Sequence, residues 1–510
     1  MIEPADNIQQ ETSKAGRKEW IGLVVIALPC LLYSMDLTVL NLAIPTISEE
    51  LKPSGTELLW IIDIYGFMVA GMLITMGTLG DRIGRRKLLL IGAAAFGVAS
   101  VFAASVRSAE LLILSRAVLG VAGATVAPST LSLIRNMFHD EKQRTFAIGM
   151  WITAYSVGGA IGPLVGGLLL QYFHWSSIFL ANVPVMLLLL AVGPKFLPEF
   201  KNPNAGRLDF ASALLSLAAI LSVILGFKLT AEQGINLTAS TFVVTGLILG
   251  WLFIKRQRKL KDPLIDLNLF KRSSSFGLLL SMNTLSIFTT FGCYIFISQY
   301  LQLVLGLSPL VAGLWTLPWS LGFIVGSVVT PKIANHFKKT TIMAFGLLLA
   351  ALGFVVLARV SSLGLTAIVG SSILFSFGLA PLFTLITDMI LSAVPPERAG
   401  TAGALSETSS ELGGALGIAV LGSIGAAIYK LRMTSDLPLG LSGEDRENAV
   451  STIGGAMAVS AKLPRDIGTS LKEVAEYSFI HSIETMAIIS SAMCVLLALT
   501  VLYVFRKATR

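Results

Sequence analysis

Charge is scarce in this sequence. Asp, Glu, Lys and Arg make up 13% of its 510 residues, against about 25% in an average soluble domain. So few ionic groups cannot cover a water-facing surface of that size. With 54% hydrophobic residues, the chain reads as an integral membrane protein with little mass outside the bilayer. Cysteine is nearly missing too. Cys30, Cys293 and Cys494 each fall inside an apolar run, which excludes a disulfide framework and any thiolate metal spacing. The four histidines are scattered, and neither a Walker-type phosphate loop nor a Ser/His/Asp or Cys/His arrangement is visible. These absences argue against an enzyme, a bound metal or cofactor, and ATP as the energy source; an ion gradient remains. The net charge of +8 would suit nucleic acid. Its placement in short loops between apolar runs, not on one soluble face, argues against such a partner.

Long hydrophobic runs are what the chain does have. Fourteen can be counted, roughly 20–44, 57–79, 87–107, 109–137, 145–172, 177–195, 209–229, 238–254, 275–301, 309–333, 340–358, 364–391, 399–430 and 477–505. They divide the chain into a polar tail (1–19), six spans (20–195), two linking spans (209–254), a basic linker (255–274) and six further spans (275–505). The long segment 431–476 is expected to form one or two short helices over the outer face. The first span carries no small-residue cleavage site and is expected to be retained. If the N-terminus is cytoplasmic, alternating loops place most Lys and Arg inside, so both termini are expected in the cytoplasm. The run KRQRKLKDP (255–263) then reads as an anchor near anionic lipid.

Against this background the ionisable residues inside spans stand out. Asp36 sits within WIGLVVIALPCLLYSMDLTVLNLAIP (20–45), where a mid-span carboxylate costs roughly 2.5–3.5 kcal/mol on translocon scales. Such a residue faces a cavity or a partner, and Asp36 is expected to line a polar path. Arg116, in LLILSRAVLGVAGATVAP (111–128), needs an acid or backbone carbonyls as partner. In GALSETSSELGGALG (403–417), Glu407 and Glu411 lie one turn apart on one helix face. Two carboxylates that close in a low dielectric resist ionising together, as a proton carrier requires. Asp63 reads either as a substrate or gate residue or as a group wetted at the outer surface, and Asp388 as a helix-end residue. Among the in-span aromatics, Tyr65 and Trp319 are candidates to offer flat apolar surface and cation–π contact to an aromatic cation. Gly162-Pro163, in VGGAIGPLVGG (157–167), breaks a backbone hydrogen bond inside a flat, close-packing helix face.

The loop GTLGDRIGRRK (77–87) resembles the signature loop of the major facilitator superfamily. There, Gly77, Gly80, Asp81, Arg82, Gly84, Arg85 and Arg86 match a motif whose acidic and basic side chains latch neighbouring helices in one conformational state. The span around Arg116 is similar to the superfamily motif whose arginine is tied to proton coupling. The 157–167 segment is similar to the antiporter motif of its exporters, which adds Gly162 and Pro163 to the conformational set. MDLTVLNLAIP (35–45), WIIDIYGF (60–67) and FLANVP (179–184) resemble the fourteen-span drug:proton antiporters, of the staphylococcal quaternary-ammonium efflux type. This resemblance covers essentially the whole chain.

It implies an all-α major facilitator fold: two six-helix bundles and two linking spans, in a bacterial plasma membrane. The expected activity is proton-driven efflux of lipophilic, mostly monovalent cations such as quaternary ammonium antiseptics and dyes, conferring drug resistance. Asp36, Arg116, Glu407 and Glu411 are the expected proton-coupling residues. Asp36, Asp63, Glu407, Glu411, Tyr65 and Trp319 are the expected substrate residues. The partners are small cationic drugs, protons and membrane lipid, and a monomer is expected. Two departures matter: Ser406 stands where the resembled pumps carry a second adjacent acid, and Phe323 where those that accept dications carry one. Export of an endogenous lipid or metabolite, and nutrient symport on the same fold, are the alternatives; a channel or structural membrane protein would need no inward acids. The reading requires its acids to meet a water-accessible interior.

Overall fold

The computed structural model describes residues 14–53, 55–201, 209–234, 236–260, 263–272, 274–438 and 441–508. Most of the tail and Lys261, Asp262 and Ser273 of the basic linker lie outside them. Among the described residues, fourteen helices are long and apolar enough to cross a bilayer. In chain order they are α1 Arg17–Leu40, α2 Trp60–Ile83, α3 Arg85–Ser105, α4 Ala109–Met137, α5 Glu141–Tyr172, α6 Ser177–Phe196, α7 Phe210–Thr230, α8 Leu237–Gln257, α9 Ser275–Val304, α10 Val311–Ala334, α11 Lys339–Leu357, α12 Leu365–Ser392, α13 Pro396–Asp436 and α14 Arg465–Val504. They follow the fourteen apolar runs of the sequence. The crossings are even in number, so α1 begins and α14 ends on one side, which we term the terminal side; the other is the far side.

Helices α1–α6 pack together as one bundle and α9–α14 as the other. Lipid offers no hydrophobic drive for helices to associate, so close approach at small residues supplies the contact. Gly158 and Gly162 of α5 do this against α1, where a Cβ would strike the Leu31 carbonyl and the Thr38 hydroxyl. The Gly162-Pro163 step lies inside the continuous helix Glu141–Tyr172. On the other bundle Gly413 and Gly417 of α13 press on the Thr284 and Phe288 carbonyls of α9.

The bundles meet along two seams, α2 and the second half of α4 against α13, and α5 against α10 and α12. The linking spans α7 and α8 form a hairpin, and α7 packs against both α2 and α13. At its terminal-side end Arg256 forks onto Asp209 at 2.7 and 3.0 Å. On the far side, the segment between α13 and α14 forms two short helices, Gly443–Ser451 and Ile453–Ser460. Tyr429 of α13 donates to the Ala449 carbonyl at 3.0 Å and ties them down.

Candidate functional site

In the first bundle, Asp36 of α1 accepts from the Arg116 guanidinium of α4 at 3.1 Å and from the Asn182 amide of α6 at 3.3 Å. Both charged side chains are sealed, each residue being 1% exposed. A buried pair stands only if its leftover donors and acceptors find partners. Arg116 reaches the Ile62 carbonyl at 3.5 Å and the ring of Tyr65, whose centre lies 5.1 Å from the guanidinium carbon, while its Nε–H is buried with no hydrogen-bond partner among the described residues. Tyr65 is therefore fully buried beneath Arg116. Asp36 faces a partner inside its own bundle, not open water, in this conformation.

Glu407 and Glu411 of α13 stand differently. Both are half-buried, and among the described residues neither has a hydrogen-bond or ion-pair partner. The cause is the rotation of α13. Asn283 of α9 grips its back, donating to the Ser406 carbonyl at 3.1 Å and to the Ser409 and Ser410 hydroxyls at 2.8 Å. On the opposite stripe come Gly400, Ala404, Glu407 and Glu411, spaced three to four residues apart. Gly400 and Ala404 seal against Gly77 of α2, where a Cβ would meet both. The two glutamates continue the same stripe just beyond this seal, where both side chains keep part of their surface exposed.

Between the sealed pair and the accessible acids runs a row of rings. Tyr33 of α1 lies 6.2 Å from Tyr65 and 5.8 Å from Tyr155 of α5, which stacks at 6.2 Å on Trp151. Tyr33 and Tyr155 stand within electrostatic range of Glu407 and Glu411. Trp319 of α10 is half-buried on the second bundle, edge-on to Tyr294 at 4.8 Å and to Phe375 at 4.9 Å, with Phe323 stacked at 6.4 Å. Asp63 of α2 is half-buried and pairs with Lys228 of α7.

The terminal side is closed along both seams. Asp81, at the end of α2, accepts from the Gly400 and Thr401 amides at 3.0 Å, from the Thr401 hydroxyl at 2.9 Å and from Arg85 at 2.8 Å. Those amides are the free N–H groups of the first turn of α13, which favour an anion. Arg85 also donates to the Pro396 carbonyl at 2.8 Å. Gly84 takes φ +112° between α2 and α3, a conformation a side chain would strain. Gly80 packs on Leu88, Arg82 is half-buried, and Arg86 donates to the Pro194 and Leu197 carbonyls at 3.2 and 3.0 Å. In the linker, burial works to raise the Asp266 carboxyl. The Asn268 N–H at 3.0 Å and the Arg398 guanidinium outweigh it and hold the group below the usual carboxylate range.

The other seam closes on a residue that the sequence reading set aside as a helix end. Asp388 of α12 is fully buried and accepts from Arg144 at 2.7 Å and Thr145 at 3.1 Å, both in the first turns of α5, and from Lys339 of α11 at 2.6 Å. Lys339 also reaches Glu141 of α5 at 2.7 Å. Beside this cluster Gly149 presses on the Ser327 carbonyl of α10. Arg144, Lys339 and Asn182 carried no signal by spacing, because each pairs across more than 40 residues of sequence. The available clue was Asp388 itself, a carboxylate inside a span.

Comparison with known proteins agrees with this architecture. The profile of the Major Facilitator Superfamily matches residues 26–418. The chain is 42% identical over 497 residues to the multidrug efflux pump LfrA of Mycolicibacterium smegmatis, covering 97% of this chain and 98% of that one. It is 34% identical over 502 residues to the methyl viologen resistance protein SmvA of Salmonella typhimurium, covering 97% and 99%. Among solved structures, the human organic anion transporter MFSD10 superposes with a TM-score of 0.61 at 16% identity, covering 93% of this chain and 99% of that one. The xylose symporter XylE gives 0.56 at 14%, covering 93% and 94%; both likenesses concern the fold alone. Fourteen apolar helices, two latched seams and relatives that export drugs converge: the chain belongs to the major facilitator superfamily and is a multi-pass membrane transporter of its multidrug efflux type, not an enzyme.

Proposed function

We propose that this protein is a proton-coupled antiporter that exports lipophilic cations from a bacterial cell, with its terminal side in the cytoplasm. The carrying observation is the accessible, partnerless pair Glu407 and Glu411 on the stripe just beyond the seal. A carboxylate without a resident cation can exchange a proton for a ligand cation; one held by Arg116 cannot do so freely. Positive charge concentrated in the terminal-side loops supports the orientation, so the latched terminal side makes this conformation outward-facing. In the inward state the ionised glutamates take up a cation from the cytoplasm or inner leaflet. The carrier turns outward, protons displace the cation, and the neutral site resets. The Tyr33–Tyr155–Trp151 row faces the acids and offers an aromatic cation its π faces. Asp36 with Arg116 serves as the coupling pair on the first bundle.

The test is proton release into weakly buffered detergent solution, read with a pH dye as substrate is added. An ethidium-type cation should release protons, and a neutral analogue of the same size should not. Equal release by both, or none by either, rejects the exchange. A second reading, in which dications are also carried, is favoured by the similarity to a methyl viologen resistance protein. Phe323 occupies the position where an acid is expected for it, stacked between Trp319 and Phe383 at 6.4 and 5.9 Å. Phe323→Asp should raise divalent over monovalent transport about tenfold, the scale of one added charge contact of about 1.4 kcal/mol. An unchanged ratio removes Phe323 from the selectivity.

A further inference from the structure

Lys228 is an ammonium in the last turn of α7, in the linking hairpin, and the exchange cycle makes no use of it. It pairs with Asp63 and stands 5.8 Å from the ring centre of Phe67, both on α2. One turn further, Gly71 lets Leu217 and Leu221 of α7 close on the α2 backbone. The same α7 packs against α13, so it lies over the α2/α13 seam. Toward the terminal side the linker continues this cover. The Thr78 hydroxyl of α2 donates to the Leu264 carbonyl at 3.1 Å, and Asp266 pairs with Arg398 at the start of α13. Gln257 of α8 holds that strap in place by accepting from the Leu264 amide at 2.7 Å.

The α5/α10 seam has no such cover. Among the described residues, neither helix of the hairpin packs against it. Leu164 and Leu168 of α5 and Leu321 and Val325 of α10 stand exposed. A lipophilic cation concentrates in the bilayer, so it reaches the protein from the side and meets one seam roofed and the other bare.

We propose that lipophilic substrate exchanges with the bilayer only through the α5/α10 seam, because the linking hairpin, tethered through Lys228 and Asp63, keeps the α2/α13 seam shut. This assigns the hairpin the role of selecting the route, and it rests on the lipophilic-cation reading above. Asp63 thereby holds a resident cation and acts as a positioning residue for the hairpin.

The test uses the full-length protein in liposomes with a tetraalkylammonium probe bearing an aryl azide, photolysed and mapped by peptide mass spectrometry. Adducts on the lipid sides of segments 141–172 and 317–334, several-fold above those on 210–233 and the adjoining faces of α2 and α13, support the route. The charge-neutral double variant Asp63→Asn/Lys228→Met should then gain adducts along the α2/α13 seam. Labelling of that seam in the unaltered protein, labelling of Tyr33, Tyr155 or Trp151 alone, or no gain in the double variant overturns the proposal. Should the double variant fail to fold, labelling of the unaltered protein decides. A probe that is exported yet labels the wrong seam rejects the route alone. A probe that is neither exported nor bound rejects the exporter reading and the route together.

Discussion

The two bundles treat their carboxylates in opposite ways. Asp36 is locked against a permanent cation, hydrogen-bonded by Asn182 and shut from water, whereas Glu407 and Glu411 are half-buried and partnerless. Removing one member of a buried pair strands the other, at a cost of roughly 3–5 kcal/mol. Removing an accessible glutamate strands nothing. The first bundle therefore holds a carboxylate committed to a fixed partner, and the second a pair of carboxylates with none among the described residues.

The contrast breaks most readily at Asp36. Asp36→Asn should lower gradient-driven cation uptake into liposomes by about a hundredfold or more, since Arg116 keeps its charge with no acid to meet it. Normal uptake would show that the sealed pair takes no part in coupling. Arg116→Lys should fail nearly as badly, because an ammonium cannot reproduce the planar fork over Tyr65. On the other bundle, Glu407→Gln or Glu411→Gln should leave the fold intact and weaken cation binding about tenfold by calorimetry, with the double variant silent in the proton-release assay. If either single variant unfolds the protein, the acids are structural and the contrast is false.

The latches sharpen the comparison by one step. Asp388→Asn leaves Arg144 and Lys339 without their shared acid, so the closed terminal side should open more often. A tenfold or greater rise in labelling of a terminal-side cysteine by an impermeant maleimide is expected, a shift of about 1.4 kcal/mol or more. Asp81→Asn, which keeps Arg85 near the Pro396 carbonyl, should give a smaller rise. The smallest effect belongs to Asp266. Its carboxyl is held low in the folded state, so its contribution is present above the ordinary carboxylate value near 4 and lost as pH falls through the lower folded value. Asp266→Asn should therefore reduce thermal stability by under about 1 kcal/mol at neutral pH, and by nothing measurable once both forms are protonated.

Much of this was legible from residue order because the bilayer imposes simple rules. A span needs about 20 apolar residues, and an ionisable group within it needs a reason. Those rules mark out the fourteen helices, and they single out Asp36, Arg116, Glu407 and Glu411 without any knowledge of neighbours. They do not say which acid meets which base. Asp63 could have faced a cation path, and it faces Lys228. Tyr65 could have lined a cavity, and it lies under Arg116. Asp388 read as a helix end, and it ties α5 to α11 and α12.

Local sequence thus determined the membrane class, the number of crossings and the list of costly charges, since each depends on transfer of a short segment into hydrocarbon. Only the tertiary structure decided their pairing, the roofing of one seam by the linking hairpin, and which carboxylates water can reach. Those depend on how α13 is rotated by Asn283 and where Gly77 and Gly149 let the bundles touch, distances that no spacing along the chain encodes.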